Sequence, residues 1–425
     1  MAAIVNSSPR HPNISARTAQ RCDQLIDFAR RLIAVPSPNP PGSTQAVAAI
    51  AAELIRSAVP DADVEIHAST DEISNVVARV RGDKPGRRIV LNGHLDTYPL
   101  GTELGWRFDP LGGVVKDGRL YGRGAADMKG GIAASMIAFA VLAEHRDLWS
   151  GEVVLTLGGD EESMGPLGTR YLMDNVPCAI GDAAIIGDAG SPRVLRFGEK
   201  GFIWIEINAV GKAAHGAHVH LGCNAIDRLR SALDALSGLE SLSVTAPVEV
   251  ADAIAVARSI SEPLSGAGES ETLSRITVNV GKIDGGVSPN LIPATARAAA
   301  DVRLPIGITT AEAEAYLQNA LGAIEGVSWH VFRQFEPNFT HPSEEIVTLG
   351  TSVAQEVLGA KPAINMRVGA SDARWFRMAG IPTIVYGPTP YNMGGADEYA
   401  LVSDLDVVAQ VHALTAFRFL CNAGR

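Results

Sequence analysis

The chain has 425 residues, of which 46% are hydrophobic and 20% charged, an ordinary globular composition with length for two or three domains. Its 36 Lys and Arg against 47 Asp and Glu leave a formal charge of −11. No run of Lys and Arg supplies the basic face that nucleic acid or an anionic membrane surface requires, so neither is expected as a partner.

The four cysteines, Cys22, Cys178, Cys223 and Cys421, are scattered and contain no Cys-x-x-Cys pair, which argues against a disulfide framework or a cysteine zinc site. The first twenty residues have no apolar core of signal-peptide length, and the longest apolar stretch, Gly130 to Ala143, is too short to cross a bilayer. A cytoplasmic protein is expected.

Taken in chain order, a first helix runs from about Thr18 to Ala34 and stops at the proline-rich segment 35–42. A second follows the Ser43/Thr44 cap, through Val47 to Val59. Strands rich in Val and Ile come at Asp63–His67, Asn75–Val80 and Arg88–Leu91. Lys129–Glu144 is apolar nearly all round and reads as a buried helix, followed by strands Glu152–Leu157 and Ala183–Ile186. Helices with strands between them imply an α/β domain whose mostly parallel sheet is covered on both faces. The middle changes character: Phe202–Val210 and Arg275–Val280 alternate, Ala225–Leu239 is helical, and Ala294–Val302 is a further strand, a pattern suited to a small inserted α+β domain. After Pro305 strand and helix alternate again, with helices Thr310–Ile324, Glu344–Leu358 and Leu405–Leu420 and strands Ser328–Arg333 and Ile381–Tyr386.

Polar residues cluster where the apolar strands end, which is where open α/β sheets place their sites. Gly93-His94-Leu95-Asp96 follows Ile89-Val90-Leu91, so His94 can bind a metal while Asp96 fixes its ring. Taken alone, the pair fits a satisfied structural histidine better. Asp127 lies among glycines in Gly122-Arg123-Gly124-Ala125-Ala126-Asp127-Met128-Lys129-Gly130-Gly131, where a helix cap is the competing reading. Asp160-Glu161-Glu162 ends strand Glu152–Leu157, and three successive carboxylates must be solvated or neutralised by a cation. Asp188 closes Ile185-Ile186-Gly187, and His215, His218 and His220 lie in one short segment. One imidazole with carboxylates at successive strand ends is the ligand set of a divalent transition metal, and Glu161 or Glu162 is placed to take a proton from its water.

These five segments, in this order, resemble the M20 metallopeptidase and aminoacylase family, of the acetylornithine deacetylase, succinyl-diaminopimelate desuccinylase and carboxypeptidase G2 type. The resemblance runs from about Leu32 to Leu405. It implies a zinc-peptidase-like catalytic domain, residues 18–197 and 306–425 after a tail of residues 1–17, with an inserted dimerisation or lid domain, residues 198–305, and hence a homodimer or larger homo-oligomer. It makes His94 and Asp188 ligands of a first metal, Asp127 a bridging ligand followed by a cis peptide, Glu162 a ligand of a second metal, Asp96 the partner of His94, and Glu161 the general base. It brings His215 from the partner's lid to the developing oxyanion, and it sets Asn290, Arg303 and Arg374 near a small carboxylate-bearing substrate, with an internal ion pair as the other reading of each arginine. The metal is manganese or zinc, with cobalt admissible.

One position departs from the family. Its last ligand is a histidine three residues before an Asp-Glu pair, and here Asp397-Glu398 is present while that position is Gly394. One metal per subunit is therefore expected, unless His218 or His220 supplies the missing nitrogen. A single metal suggests a changed C–N hydrolysis, specifically the exchange of the ring amine of 5-nitroanthranilate for hydroxyl with release of ammonia. The alternative is a two-metal amide hydrolase, an N-acyl-amino-acid deacylase or small-peptide carboxypeptidase.

Overall fold

The computed structural model describes residues 13–101 and 105–422. These divide into two compact units: one holds the described residues through Leu195, Ser343–Ala363 and those from Ser371 onward, and the other holds Arg196–Pro342 and Ile364–Ala370.

The first unit is built on a mixed sheet whose strands run in the order Asp63–Ala68, Ser74–Arg81, Glu152–Gly158, Arg88–His94, Ala183–Ile186, Thr383–Val385. The central members are parallel, with Leu91 opposite Leu155 on one side and Ile185 on the other, while Ser74–Arg81 joins antiparallel. Continuous apolar runs such as Val153–Leu155 and Ala183–Ile186 suit strands buried on both faces, each large aliphatic contributing about 1.5–3 kcal/mol. Helix Lys129–Glu144 is buried from Lys129 through Ala143, which explains its lack of a polar stripe; it packs against Cys22–Ile33 and Val402–Cys421. Its approach to the sheet is close, because a Cβ at Gly131 would lie 1.9 Å from the carbonyl oxygen of Gly187.

A small antiparallel sheet of Val114–Lys116, Arg119–Tyr121 and Tyr399–Leu401 sits in the same unit. It brings the loop after Tyr121, which carries Asp127, beside Asp397 and Glu398. The expected tail also ends in structure: Asn13 caps helix Ile14–Ala19, and Ser15 donates to Gln410 of the last helix, so the chain is ordered before Thr18. The expected first helix is two, Ile14–Ala19 and Cys22–Ile33. The remainder of that tail lies outside the described residues.

The second unit holds an antiparallel sheet in the order Thr277–Gly285, Thr295–Leu304, Gly201–Val210, Val327–Phe335. Alternate residues Ile203, Ile205, Ile207 and Ala209 form a core with Leu229, Ala232 and Leu236 of helix Ala225–Ser237 and with Ala313, Leu317 and Leu321 of helix Thr310–Gly322. This differs from a boundary at Pro305. Strand Val327–Phe335 pairs with Gly201–Val210 through Trp329 opposite Ile207, so the helix and strand after Pro305 complete the inserted unit and not the parallel sheet. Local alternation of helix and strand cannot distinguish those two destinations.

Candidate metal centre

Parallel pairing aligns the ends of three strands of the first unit. His94 closes Arg88–His94 opposite Gly158, and Asp188 follows Ile186 by two residues. Asp127 enters from the loop that precedes the buried helix. The ligand atoms of His94, Asp127 and Asp188 all lie within 4.8 Å of one another, and all three residues are buried. His94 Nε2 is 3.1 Å from an Asp127 oxygen, and Nδ1 is 3.0 Å from the main-chain oxygen of Asp96. An Nδ1–H donated to that carbonyl selects the tautomer that leaves Nε2 for a metal. Asp188 accepts from the N–H of Ala189. The Asp127–Met128 peptide is cis.

The Asp96 carboxylate lies farther from the ring, at 3.5 Å, and works mainly elsewhere. It accepts the backbone N–H of Glu161 (3.2 Å) and of Glu162 (3.0 Å), so it fixes the two acids as well as the histidine. Asn39 donates to Asp96 and to Asp160, which itself accepts from Leu167 and Ser163. Asn39 sits in the proline-rich segment that reads from sequence only as a helix stop; a lone amide between prolines was the available signal.

Glu161 Oε2 is 3.9 Å from His94 Nε2, and burial pushes its carboxyl up to about 8 against the opposing charges of His94 and Arg374. Burial and the charge of Asp127 hold Glu162 well above the ordinary carboxylate range. At His94 burial disfavours the imidazolium, but hydrogen bonds to Asp127 and Asp96 outweigh it and raise its pKa. Glu162 Oε1 is buried with no hydrogen-bond partner among the described residues. A set of buried acids gathered on one imidazole fits a divalent cation, which would hold them ionised together.

Arg374 is fully buried, donating to the carbonyl of Ser371 and lying 3.4 Å from Glu161 and 3.7 Å from Asp372. Its guanidinium therefore faces the expected base, not open space for a substrate carboxylate. Asp372, which accepts from Thr169, is a member of this network that sequence reasoning missed. Arg303, in the second unit, pairs with Asp301 at 2.9 Å and lies over the Phe202 ring, the internal ion pair that was its other reading.

His215 and Asn290 share one corner of the second unit: His215 bridges to Leu291, and Gly216 N–H donates to the Asn290 carbonyl. Both residues are exposed. His218 and His220 are exposed on the same segment, their rings 5.8 and 5.9 Å from their neighbours in the series. Gly394 has φ +74°, and among the described residues a Cβ there would touch only the Tyr98 ring, at 3.7 Å. Tyr98 thus borders the Asp127–Glu162 side, and burial together with the charges of Glu162 and Asp127 raises its phenol.

A buried His–Asp–Asp centre at parallel strand ends, with a further carboxylate beside the imidazole, is the site of a metal-dependent hydrolase. The model of peptidase family M20/M25/M40 matches residues 90–418. The chain is 29% identical over 361 residues to succinyl-diaminopimelate desuccinylase of Rhodospirillum centenum, covering 83% of this chain and 86% of that one. Its fold is similar to that of an M20 family metallo-carboxypeptidase from Sulfolobus solfataricus, with TM-score 0.78, 20% identity and coverage of 94% and 98%. It is also similar to a dinuclear metal binding peptidase from the M20 family of Bacillus subtilis, with TM-score 0.65, 16% identity and coverage of 94% and 99%. The chain belongs to peptidase family M20/M25/M40 and is a metal-dependent hydrolase of that family. No helix among the described residues is long and apolar enough to cross a membrane.

Proposed function

We propose that the protein hydrolyses an amide bond in a small carboxylate-bearing substrate, an N-acyl amino acid or short peptide, at the centre formed by His94, Asp127 and Asp188. The observation that carries this is the buried donor triad with Glu161 3.9 Å from the imidazole. The desuccinylase relatives, alike over four-fifths of the chain, favour amide hydrolysis over the exchange of a nitroaromatic ring amine expected from Gly394.

His94, Asp127 and Asp188 would hold the cation, and this donor set accepts zinc, manganese or cobalt. Such an ion supplies Lewis acidity toward a water and toward an amide carbonyl. Glu161 takes the proton of the attacking water and passes it to the departing nitrogen, while Arg374 and the Asp96 carboxylate hold Glu161 in place. We assign His215 to the developing oxyanion, delivered by a neighbouring copy through the second unit, and Asn290 to the substrate; their shared exposed corner supports acting together. The orphaned Glu162 Oε1 supports a second cation between Asp127 and Glu162 despite the glycine at 394, as in the two-metal reading.

The test is metal content per subunit together with a substrate panel of N-succinyl and N-acetyl amino acids, dipeptides and 5-nitroanthranilate. Free amine from acylated substrates is expected. Ammonia from 5-nitroanthranilate, with the acylated compounds untouched and one metal bound, would overturn the proposal.

A further inference from the structure

The loop between Tyr121 and Lys129 has no regular hydrogen-bond ladder, yet it must present Asp127 at a fixed place in a buried site. Its amides need partners, since orphaned buried N–H groups are rare and costly. They find one atom. Glu398 Oε1 accepts from the N–H of Gly124 (3.0 Å), Ala126 (3.1 Å) and Asp127 (3.2 Å). The left-handed φ of +84° at Gly124 turns the loop around the carboxylate, and a Cβ there would meet Thr97 at 2.9 Å. Glu398 Oε2 accepts from Arg123 Nη1 at 2.6 Å, both side chains being buried. The other end of Arg123 donates to the carbonyls of Gly394 (3.0 Å) and Pro99 (3.4 Å). Glu398 also receives the Gly122 N–H on its own main-chain oxygen.

We propose that Glu398 is a positioning residue for Asp127: its carboxylate is the template on which the 122–127 loop folds, and the Arg123–Glu398 pair locks that loop to the segments at Pro99 and Gly394. It acts through the backbone of Asp127, and its negative charge is what three converging dipoles and a guanidinium select. Outer partners of this kind set the geometry of a metal ligand, and their loss lowers metal affinity 10–100-fold on the order of magnitude seen generally.

The inference rests on the proposed reading of His94, Asp127 and Asp188 as one metal site, and the experiment separates the two. Cobalt(II) titration, followed by its visible spectrum and by calorimetry, compares Glu398→Gln, Arg123→Met/Glu398→Gln and Asp188→Asn with the parent, each also melted without metal. The double variant keeps the test alive if the single one fails to fold, because it removes the guanidinium left buried without its counter-ion. Expected are a loss of cobalt affinity by at least about tenfold in both Glu398→Gln proteins and an altered cobalt spectrum, even where Arg123→Met restores the melting temperature. Parent-like affinity and spectrum in the double variant would overturn the positioning role while Asp188→Asn loses the metal. Parent-like binding in Asp188→Asn as well would overturn the ligand assignment itself.

Discussion

Gly131→Ala puts opposing effects in one residue. Gly131 lies inside helix Lys129–Glu144, where alanine ordinarily gains about 1 kcal/mol over glycine. Here the new Cβ would stand 1.9 Å from the Gly187 carbonyl oxygen, 1.5 Å short of the 3.4 Å at which ordinary contact begins. The obstacle is backbone, so no side chain can rotate away, and forcing the helix off the sheet costs about 1–3 kcal/mol or more. With a backbone obstacle the clash takes the upper end of that range and outweighs the propensity, for a net destabilisation of about 2 kcal/mol or more. Gly187 precedes Asp188, so the same displacement moves a ligand; a misplacement near 1 Å costs about 10²-fold in rate. Urea unfolding gives the first quantity, and metal titration with turnover gives the second. Gly322→Ala is the control: its Cβ would meet only the mobile end of Gln318, at 3.4 Å, so this protein should be as stable as the parent or slightly more so. A Gly131→Ala protein as stable and as active as the parent would refute the reasoning.

Glu161→Gln keeps the shape and removes the proton acceptor, so turnover should fall by about 10²–10⁴ while metal content by elemental analysis is unchanged, because Glu161 is outside the donor triad. Adding metal at 100 times its dissociation constant should stabilise the chelated protein by about 2.7 kcal/mol in a thermal or urea melt, and Asp188→Asn should lose that increment. His412 is buried, donating to the Tyr386 carbonyl and facing the Ser135 hydroxyl, and burial lowers its pKa from 6.5 to about 4. Above pH 6.5 neither folded nor unfolded chain protonates it; below, the unfolded chain takes the proton first. Its contribution to stability should therefore fall as pH drops from 6.5 to 4, by roughly 3 kcal/mol in all. Urea midpoints should show a correspondingly flatter acid limb in His412→Asn, and an unchanged limb would count against it.

The parallel sheet was readable because its strands are short runs of Val, Ile and Leu with nothing polar between them, and helix Lys129–Glu144 because it is apolar all round. Ends of such runs carry the donors, so His94, Asp127 and Asp188 stood out as a pattern before they stood together. Asn39, Thr169 and Asp372 did not, and Glu398 showed only as half of an Asp-Glu pair and not as a loop template, since each acts through hydrogen bonds to residues up to some 270 positions away, and such contacts leave no period in the chain. The boundary after Pro305 failed for the same reason: strand Val327–Phe335 alternates as any half-buried strand does, and only pairing with Gly201–Val210 assigns it to the inserted unit.

The arrangement of charge ties these readings together. Asp96, Asp127, Glu161, Glu162, Asp188 and Asp372 gather around two protein cations, His94 and Arg374. Asp96 is met by backbone N–H groups and by Asn39, and Asp372 by Thr169 and Arg374. Burial drives Glu161 and Glu162 upward against the opposing charge of His94. A fold would gain nothing from burying so many acids together for their own sake, because apolar side chains of the same size would cost less. Their presence makes sense when a divalent cation is part of the folded state, held by His94, Asp127 and Asp188, whose ligand atoms all lie within 4.8 Å of one another.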